Sequence, residues 1–572
     1  MKLVELRIKN FRGLGGDENK IRFDDSNIIF LIGQNNVGKS SILYAYEYFV
    51  SAKKKALVSD FFKHDQSNKI IIEGDFLKEE SDEEDSVFKK EKDWVNKWVQ
   101  DGSGYITIKK EWDSADKEGT KYTKDKSGEW VKNGFGGLET IFTKHAPSVV
   151  FIKAIETVES LEKSVNDIID KEHIKKLEKD YKAEFDDAVT SIKKIQDKIT
   201  SSDNIGEINT RVNEYFKCVF PKLELKISVK DEGGIDLAKA FKTNHSIDVK
   251  KDGVERKETF DQHGHGVIRQ ALFNFLAFVK NSSKSEKKEY MLLFEEPELF
   301  LHPKSEYLLR EQLYEIAKDS PFQVVCATHS PKMIDISKTH SSLVRVIKEP
   351  DETTKTFQVG HNIFQNEDNK DFVQMVNRFN PYVCDSFYAD NVLLLEGDTE
   401  AIVCRLILDK KYPDKDIHVL NTGSKNNIPF FQRILSHFNI EYVVIHDSDT
   451  RYVYNKAKDG LVLNKEGEKK NNSAWTLNNS IWKEIEKSRE SGIKANRLVS
   501  VYDFETLNGY KVERELGKPL SAFKFVSSKL AAEEKLPIFD QIDEIVKNSF
   551  SKGWDQLEID KIEEPTLKEE EE

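Results

Sequence analysis

Cysteine is scarce in this chain, and its placement excludes two classes of cross-linked domain. Only 4 of the 572 residues are cysteine: Cys218, Cys326, Cys384 and Cys404. No two have the C-x-x-C spacing of a zinc cluster, and their number is too low for a disulfide framework. The sequence therefore predicts a protein of a reducing compartment that is stabilised by an ordinary hydrophobic core.

Long apolar runs and a net positive charge are also missing. No stretch of 18 apolar residues occurs, and none follows the charges of the opening MKLVELRIKNFRG. We therefore expect neither a membrane span nor a signal peptide, and a cytoplasmic location. With 88 basic and 101 acidic residues, the net charge of −13 excludes a protein coated with positive charge. A nucleic-acid site must be a local basic groove, for which Lys469 and Lys470 are candidates.

The chain does contain the alternation of an α/β fold and room for several domains. At roughly 150 residues per domain, its length predicts two to four domains. Apolar runs typical of strands precede helical patterns. These runs occupy residues 3–8, 28–32, 290–294 and 323–328, and the pattern starts again near residues 391 and 441. Because a polar, turn-rich stretch at 350–385 separates the two sets, we predict the main domain boundary there.

Three segments depart from this alternation. Residues 51–150 combine strand and turn signals, which predicts a β-rich insertion. From residue 155 to 199 apolar residues recur at steps of three and four, which predicts a helical arm over about 155–220. Its length favours dimerisation through this arm. The final segment, 551–572, is predicted to be an acidic tail, and its end, EEPTLKEEEE, is expected to be disordered.

The first chemical motif is a glycine-rich loop between a predicted strand and a predicted helix. Its sequence, GQNNVGKS, matches the phosphate-binding pattern G-x-x-x-x-G-K-S. The glycines let backbone N–H groups surround phosphate oxygens, the lysine neutralises the outer phosphates, and the serine can ligate Mg²⁺. The residues expected to bind ATP are Gly33, Asn35, Asn36, Gly38, Lys39, Ser40 and Ser41.

Two strand ends further along carry the other residues that a Mg²⁺-dependent nucleotide hydrolase needs. The strand YMLLF leads to Glu295 and Glu296, of which one can hold the metal while the other positions or deprotonates water. The strand QVVCAT leads to His329, at an edge where ligands of open α/β sheets bind. An isolated histidine would be structural, but here it completes a set in the expected order.

These motifs resemble the ATP-binding-cassette class, in the branch of chromosome-maintenance and recombination ATPases. The opening I-x-N-F-R at residues 8–12 is similar to that branch as well. The resemblance implies that Glu296 is the catalytic carboxylate, that Glu295 binds on the metal side, and that His329 senses the γ-phosphate.

The same resemblance implies a dimer in which a partner subunit contributes a signature segment. The best match is QHGHGVIRQ at residues 262–270, where Gly264 and Gly266 open a helical pattern. His265 stands where the class usually has serine, which implies slow turnover.

A second set of motifs places acidic residues after predicted strands near the C-terminal end. Each has an ordinary explanation as an acidic turn or a solvated strand edge. If they converge, their negative charge exceeds what a folded site tolerates without cations, and two divalent ions can be held. Two of them, in VYDFE, are predicted to alternate along one strand. The carboxylates are Glu396, Glu400, Asp447, Asp449, Asp503 and Glu505.

The order of these acids resembles the Toprim domain of topoisomerases, primases and nucleases. An ATPase of this class followed by a Toprim domain resembles the overcoming-lysogenization-defect family, which includes the nuclease subunit of Gabija-type phage-defence systems. The fold implied is α/β, with an ABC/SMC-like ATPase domain over 1–385 that carries a helical dimerisation insertion, followed by a Toprim domain over 386–550.

The family resemblance also implies roles for single residues. Glu396, Asp447 and Asp449 would bind one Mg²⁺ or Mn²⁺ ion, and the other three acids would bind a second. Lys518 best matches the lysine that stabilises the transition state, with Lys529 as the alternative. The implied partners are DNA, further copies of the chain in a dimer or tetramer, and a helicase-like protein as in Gabija-type members.

Three functions fit these motifs. The first is an ATP-regulated, metal-dependent DNA endonuclease of anti-phage defence. The alternative is a DNA-binding ATPase scaffold of the recombination or chromosome-maintenance type, against which the retention of six acids counts. A topoisomerase or primase would share the Toprim chemistry, but a topoisomerase also needs a tyrosine in a separate domain, for which the chain leaves no room.

Overall fold

The structure is a computed structural model of the chain. It describes residues 1–16, 19–23, 26–78, 82, 95–135, 140–154, 182–184, 187, 190–191, 194, 248–249, 258–259, 289–318, 321–335, 338, 341–360, 382–455, 460–548, 550–551 and 553–565. The chain forms two compact units, one of residues 1–154 with 277–572 and one of residues 155–276.

The described residues contain 18 strands, of which six fall on the apolar runs that the sequence predicts. They are β1 (Lys2–Lys9), β2 (Asn19–Arg22), β3 (Ile28–Ile32), β4 (Ile70–Leu77), β5 (Tyr105–Trp112), β6 (Thr120–Lys124), β7 (Trp130–Lys132), β8 (Ser148–Ile152), β9 (Asp248–Val249), β10 (Glu258–Thr259), β11 (Tyr290–Glu295), β12 (Phe322–Ala327), β13 (Ser341–Lys348), β14 (Thr354–Val359), β15 (Asn391–Leu395), β16 (Ile417–Asn421), β17 (Glu441–Asp447) and β18 (Ala495–Ser500).

Helices follow most strands of the two parallel sheets. They are α1 (Lys39–Val50), α2 (Thr140–His145), α3 (Pro303–Ala317), α4 (Tyr382–Asp385), α5 (Asp398–Lys411), α6 (Ile428–His437), α7 (Ser473–Glu490), α8 (Phe504–Asn508), α9 (Gly517–Ala531), α10 (Pro537–Lys547) and α11 (Gln556–Asp560). None of the helices in the described ranges has both the length and the apolar character of a membrane span.

The first sheet is antiparallel, with the order β2-β1-β4-β5-β6-β7. Alternate residues of β4 are buried, so one face of this sheet covers the core. Strands β4 to β7 lie within the β-rich region predicted over 51–150 and share this sheet with β1 and β2. They therefore extend the N-terminal sheet.

The second sheet brings the predicted nucleotide motifs to one edge. Its order is β14-β13-β3-β12-β11-β8, and all neighbours are parallel except β13 and β14. Every residue of β3 and β12 is buried, as expected for strands covered on both faces. Because β3, β11 and β12 run in the same direction, the residues that follow them meet at their common carboxyl edge.

The third sheet brings the predicted acidic motifs to one edge. Its four strands, in the order β16-β15-β17-β18, are all parallel. Helix α5 follows β15, α6 connects β16 to β17, and α7 connects β17 to β18. The segments after β15, β17 and β18 therefore share one edge, and the first unit's second hydrophobic core lies beneath them.

The predicted strand carrying Asp503 and Glu505 is wrong. Strand β18 ends at Ser500, and Asp503 is the N-cap of helix α8, where its Oδ1 accepts a hydrogen bond from the Thr506 amide at 2.7 Å. Aspartate is a favourable N-cap because its carboxylate satisfies an amide that the first helical turn leaves free. Both acids still lie at the carboxyl edge of the sheet, but a helix start presents them there.

The acidic tail predicted over 551–572 contains helix α11. Asp555 and Glu558 form a capping box on α11, and Ile559 is buried. The Glu564 carboxylate accepts a hydrogen bond from the Arg451 amide at 2.9 Å. The buried isoleucine within this acidic segment explains why its first part packs.

The signature segment at 262–270 lies outside the described residues, and so does most of the helical arm predicted over 155–220. Gly264, Gly266 and His265 therefore stay predictions.

Candidate nucleotide and metal sites

The phosphate-binding loop connects β3 to α1, and its two glycines are required by the backbone. Gly33 has φ 142°, and a side chain there would collide with the Val346 carbonyl. Gly38 has φ 106°, and a Cβ atom would come within 2.9 Å of Thr354 Oγ1. The loop is thus held closely against β13 and β14, while Asn35 and Asn36 are exposed to a ligand. Ser40 and Ser41 lie in the first turn of α1.

Lys39 lies folded onto its own loop. Its Nζ donates to the carbonyls of Gly33 at 2.9 Å and Gln34 at 2.7 Å, and the side chain is almost fully buried. Burial lowers the pKa of Lys39 to about 8, although the charges of Glu296 and Glu298 oppose this shift. The ammonium group is therefore a buried cation whose hydrogen bonds, among the described residues, go to neutral carbonyls, and a phosphate can compete for it.

The predicted acid and histidine lie near this lysine. His329 Nε2 is 3.8 Å from Glu296 Oε1. Burial, and then the charge of Lys39, lowers the pKa of His329 to about 4, so the ring is neutral at physiological pH. Glu296 has φ 46°, an uncommon conformation for a residue other than glycine, and such conformations concentrate at functional sites. Glu295 is the last residue of β11.

Glu298 also belongs to this edge, and the sequence prediction missed it. Its Oε1 accepts hydrogen bonds from the amides of His329 at 2.7 Å and Ser330 at 3.1 Å, which orients the histidine segment. Burial is the main reason why the pKa of Glu298 is raised. The signal was present in the sequence, since Glu298 is the third acid of E-E-P-E.

The six predicted carboxylates lie at the carboxyl edge of the third sheet. Glu396 follows β15 and accepts a hydrogen bond from the Asp447 amide at 3.3 Å through its Oε2. Glu400 lies in the first turn of α5. Asp449 has φ 59°, and its amide donates to the Tyr502 carbonyl at 3.0 Å, which joins the segment after β17 to the segment after β18.

Burial and mutual repulsion perturb this carboxylate cluster, defined as Glu396, Glu400, Asp447, Asp449, Asp503 and Glu505. Burial raises the pKa of Asp447 to about 9, and the charges of Glu400, Glu396, Asp449 and Asp503 act in the same direction. Burial also raises the pKa of Glu396 to about 7 and raises that of Glu400. The cluster therefore holds more carboxylates than its local cations can neutralise.

Two lysines already bind members of the cluster. Lys518, which the family resemblance predicted, lies 2.9 Å from Glu505 Oε1. The alternative, Lys529, pairs with Glu534 instead. Lys425 was missed: it is 3% exposed, and its Nζ lies 2.6 Å from Asp449 Oδ2. Its only sequence signal is its position in the turn after β16.

The donor set suits a hard divalent cation, because it offers carboxylate oxygens and Asp447 Oδ1 is buried without a hydrogen-bond partner. Within the described residues, however, no three His, Cys, Asp or Glu side chains are already arranged around one metal position. Two of the acids, Asp449 and Glu505, are paired with lysines.

The exposed lysines proposed for a basic groove lie on the segment after Asp449. Lys469 and Lys470 are both exposed, and Lys469 Nζ is 5.1 Å from the centre of the Tyr452 ring. The Val453 amide donates to the Lys470 carbonyl at 2.9 Å, which folds this segment back on itself. The segment connects the cluster to α7.

The phosphate-binding loop contacts the third sheet directly. Gln34 Nε2 donates to Asp390 Oδ2 at 3.1 Å and to Asp416 Oδ2 at 3.2 Å, and these acids precede β15 and β16. Arg345 of β13 is 2% exposed and donates to Asp390 Oδ1 at 2.6 Å and to the Ala389 carbonyl at 2.8 Å. A second Arg345 nitrogen donates to the Phe438 carbonyl at 3.0 Å.

Comparison with protein families and curated proteins agrees with the presence of both the nucleotide site and the carboxylate cluster. Residues 1–334 match the family described as AAA ATPase domain, and residues 387–449 match the overcoming lysogenization defect protein-like Toprim domain. The Old nuclease of Escherichia phage P2 is 23% identical over 478 residues, which are 78% of this chain and 77% of that protein.

Two further relatives are similar to the chain. Endonuclease GajA of Bacillus cereus is 25% identical over 492 residues, which are 81% of this chain and 77% of that protein. The OLD nuclease of Thermus scotoductus is 26% identical over 183 residues, which are 31% of this chain and 34% of that protein. The matches confirm the predicted resemblance: the chain belongs to the AAA ATPase domain family and carries an overcoming-lysogenization-defect-like Toprim domain after it.

Proposed function

We propose that this protein is an ATP-regulated, divalent-metal-dependent DNA endonuclease that acts in anti-phage defence. The observation that carries the proposal is the convergence of six carboxylates on one sheet edge, where burial and repulsion raise the pKa of Asp447 to about 9. The printed names of two relatives, a nuclease and an endonuclease, support the same activity. The proposed domains are the ATPase over 1–385 and the Toprim nuclease over 386–550.

In this proposal Glu396, Asp447 and Asp449 hold one Mg²⁺ or Mn²⁺ ion, and Glu400, Asp503 and Glu505 hold the other. The ions supply the activation of a water nucleophile and the stabilisation of charge on the scissile phosphate.

The proposal also gives roles to Lys518, Lys425 and Asp447. Lys518, which is 66% exposed at its side chain, can leave Glu505 and neutralise the phosphate. Lys425 keeps Asp449 oriented and balances its charge while no cation is bound. At neutral pH Asp447 holds a proton, because its pKa is raised, and it releases that proton when a cation takes the proton's place.

The nucleotide site would be filled by ATP with Mg²⁺. The loop amides between Gly33 and Gly38 and the ammonium group of Lys39 bind the phosphates, and Ser40 with Glu295 holds the metal. Glu296 orients the attacking water, and neutral His329 contacts the γ-phosphate. A partner subunit would contribute Gly264 and Gly266 in a dimer or tetramer.

Regulation would use the contact between the loop and the third sheet. A phosphate that attracts Lys39 removes its hydrogen bond to the Gln34 carbonyl, and Gln34 is the residue that binds Asp390 and Asp416. Because β15 connects Asp390 to Glu396, a shift at the loop reaches the strand that carries the cluster. A helicase-like partner protein and a cytoplasmic location belong to the proposal through the family resemblance.

The scaffold alternative is less favoured, because it gives no use to carboxylates whose burial opposes ionisation. The two readings are separated by incubating the purified protein with supercoiled plasmid and Mg²⁺ or Mn²⁺, with and without ATP. We expect nicking by the wild type and its loss in Glu396→Gln, with Glu466→Gln at an exposed position as the matched control. A Glu396→Gln protein that still nicks would contradict the nuclease site.

Lys39→Ala in the same assay tests whether ATP hydrolysis and DNA nicking belong to separate sites. We expect ATP hydrolysis to be lost and metal-dependent nicking to remain, with altered control by ATP. If this variant is folded and yet loses nicking without ATP present, the two sites are not separate.

A further inference from the structure

Tyr510 is a buried residue at the edge of the carboxylate cluster that neither the motifs nor the family resemblance identified. It follows Gly509, whose φ of 68° ends helix α8. Its ring stacks on Phe525 with centroids 5.2 Å apart, and the residue is 9% exposed. Packing therefore accounts for the ring, but not for the hydroxyl group.

The Tyr510 hydroxyl is buried and has no hydrogen-bond partner among the residues that the structure describes. Buried polar groups are nearly always paired, because an unpaired group has lost its hydrogen bonds to water without replacement. Phenylalanine would fill the same space without this cost. A hydroxyl at this position therefore indicates a partner that is bound only in the working state.

The surroundings of the hydroxyl indicate what this partner is. Four carboxylates, Glu505, Glu400, Asp447 and Asp503, interact electrostatically with it and, after burial, raise its pKa. The phenol is therefore protonated at neutral pH and can only donate toward these groups. Asp447 Oδ1, a buried acceptor in the same cluster, is likewise without a partner.

Tyr510 lines a cavity that has room for such a partner. Its volume is about 380 Å³, and its polar lining includes Asp503, Glu505, Tyr510 and Lys518. A hydrated cation held by the neighbouring carboxylates satisfies this donor, since one of its water molecules accepts the hydrogen bond of the phenol.

We propose that Tyr510 is a positioning residue whose hydroxyl donates a hydrogen bond to a water molecule in the hydration shell of the cation held by Glu400, Asp503 and Glu505. This inference rests on the proposed function. It also gives Tyr510 a role other than that of a nucleophile, because the hydroxyl keeps its proton as the donor of this hydrogen bond.

The test uses the full chain without nucleotide or DNA and measures Mn²⁺ affinity together with the metal-free melting temperature. For Tyr510→Phe we expect Mn²⁺ binding to weaken about 10-fold, as for other residues that support metal ligands. We expect its metal-free melting temperature to equal or exceed that of the wild type, because the hydroxyl lost has no partner.

Tyr412→Phe is the matched control, since the Tyr412 hydroxyl donates to Asp543 at 2.7 Å, away from the cluster. It should lower the melting temperature and leave Mn²⁺ affinity unchanged. If Tyr510→Phe behaves like Tyr412→Phe, the hydroxyl is structural and the inference is overturned, while the proposed function stands.

Two other outcomes are decisive. Wild-type protein that binds no Mn²⁺ would overturn the metal site itself, and with it the role of Tyr510. A covalent adduct between wild-type protein and DNA that is missing in Tyr510→Phe would overturn the positioning role in favour of a nucleophile.

Discussion

The nucleotide site and the carboxylate cluster each contain a buried charged group, and the two groups have opposite signs. Both sites lie at the carboxyl edge of parallel strands. In the first, the Lys39 ammonium is buried against neutral carbonyls and its pKa falls to about 8. In the second, Asp447 is buried among other acids and its pKa rises to about 9. The group that burial perturbs most is thus a cation in one site and an acid in the other, and we expect Lys39 to favour an anionic ligand and the cluster a cation.

Among the substitutions that test this difference, we expect the largest effect at the phosphate-binding loop, on ATP affinity. Lys39→Met removes the buried cation, and we expect ATP affinity to fall about 100-fold, or about 3 kcal/mol of binding free energy. Titration with a fluorescent ATP analogue measures it. Lys63→Met, at an exposed lysine, is the control and should leave affinity unchanged. Equal loss of Mn²⁺ binding at the cluster would contradict the separation of the two sites.

Lys425→Met removes the buried cation of the other site. We expect the free energy of unfolding of the metal-free protein to fall by about 2 kcal/mol, less than for a fully buried pair because Asp449 is 29% exposed. Chemical denaturation measures it, with Lys494→Met at an exposed pair as the control. Because an uncompensated acid remains, saturating Mn²⁺ should raise the melting temperature of this variant more than that of the wild type. An equal rise would count against Lys425 as the local counter-charge.

The opposite pKa shifts predict opposite pH dependences of stability. Asp447 shifts upward from 3.8 to about 9, so the folded state binds a proton that the unfolded state releases, and its contribution to stability is lost as pH rises toward 9. Lys39 shifts downward from 10.5 to about 8, so the unfolded state binds more protons and stability rises with pH from 8 to 10.5.

Melting temperatures of the metal-free protein at several pH values measure these slopes. Relative to Asp447→Asn, the wild type should lose at least about 2 °C between pH values near 6 and 8. Relative to Lys39→Met, it should gain a similar amount between pH values near 8 and 10. Slopes of the same sign for the two pairs would show that the sites do not differ in the way described.

The smallest effect on stability is expected where the two regions meet. Gln34→Ala removes two exposed hydrogen bonds to Asp390 and Asp416, and the melting temperature should hardly change, as for other surface substitutions within about 0.5 kcal/mol. ATP binding should persist, but the difference between nicking rates with and without ATP should shrink. An undiminished ATP effect would mean that regulation does not pass through this contact.

How far the sequence anticipated the sites depended on how local the signal was. The phosphate-binding loop and the helix after it were predictable, because glycine spacing and a following helix are local features. Lys425 was not, because a lysine in a turn is common and only its burial distinguishes it. Glu298 was visible as the third acid of E-E-P-E, but its role depends on its hydrogen bonds from the His329 and Ser330 amides. Asp503 was assigned to the correct site on the wrong element, since alternation along a strand and an N-cap both place a carboxylate at the end of β18.

The amino-acid sequence alone determined the strand and helix order, the loop that binds phosphate and the identity of the six acids, because each depends on residues adjacent in the chain. Only the tertiary structure decided that Lys425 neutralises Asp449, that Gln34 reaches Asp390, and that the Tyr510 hydroxyl is buried among four carboxylates. Lys425 and Asp449 are 24 positions apart in the chain, and Gln34 and Asp390 are 356 positions apart. Parallel strands bring such distant segments to one edge, and burial there decides which charges need a ligand.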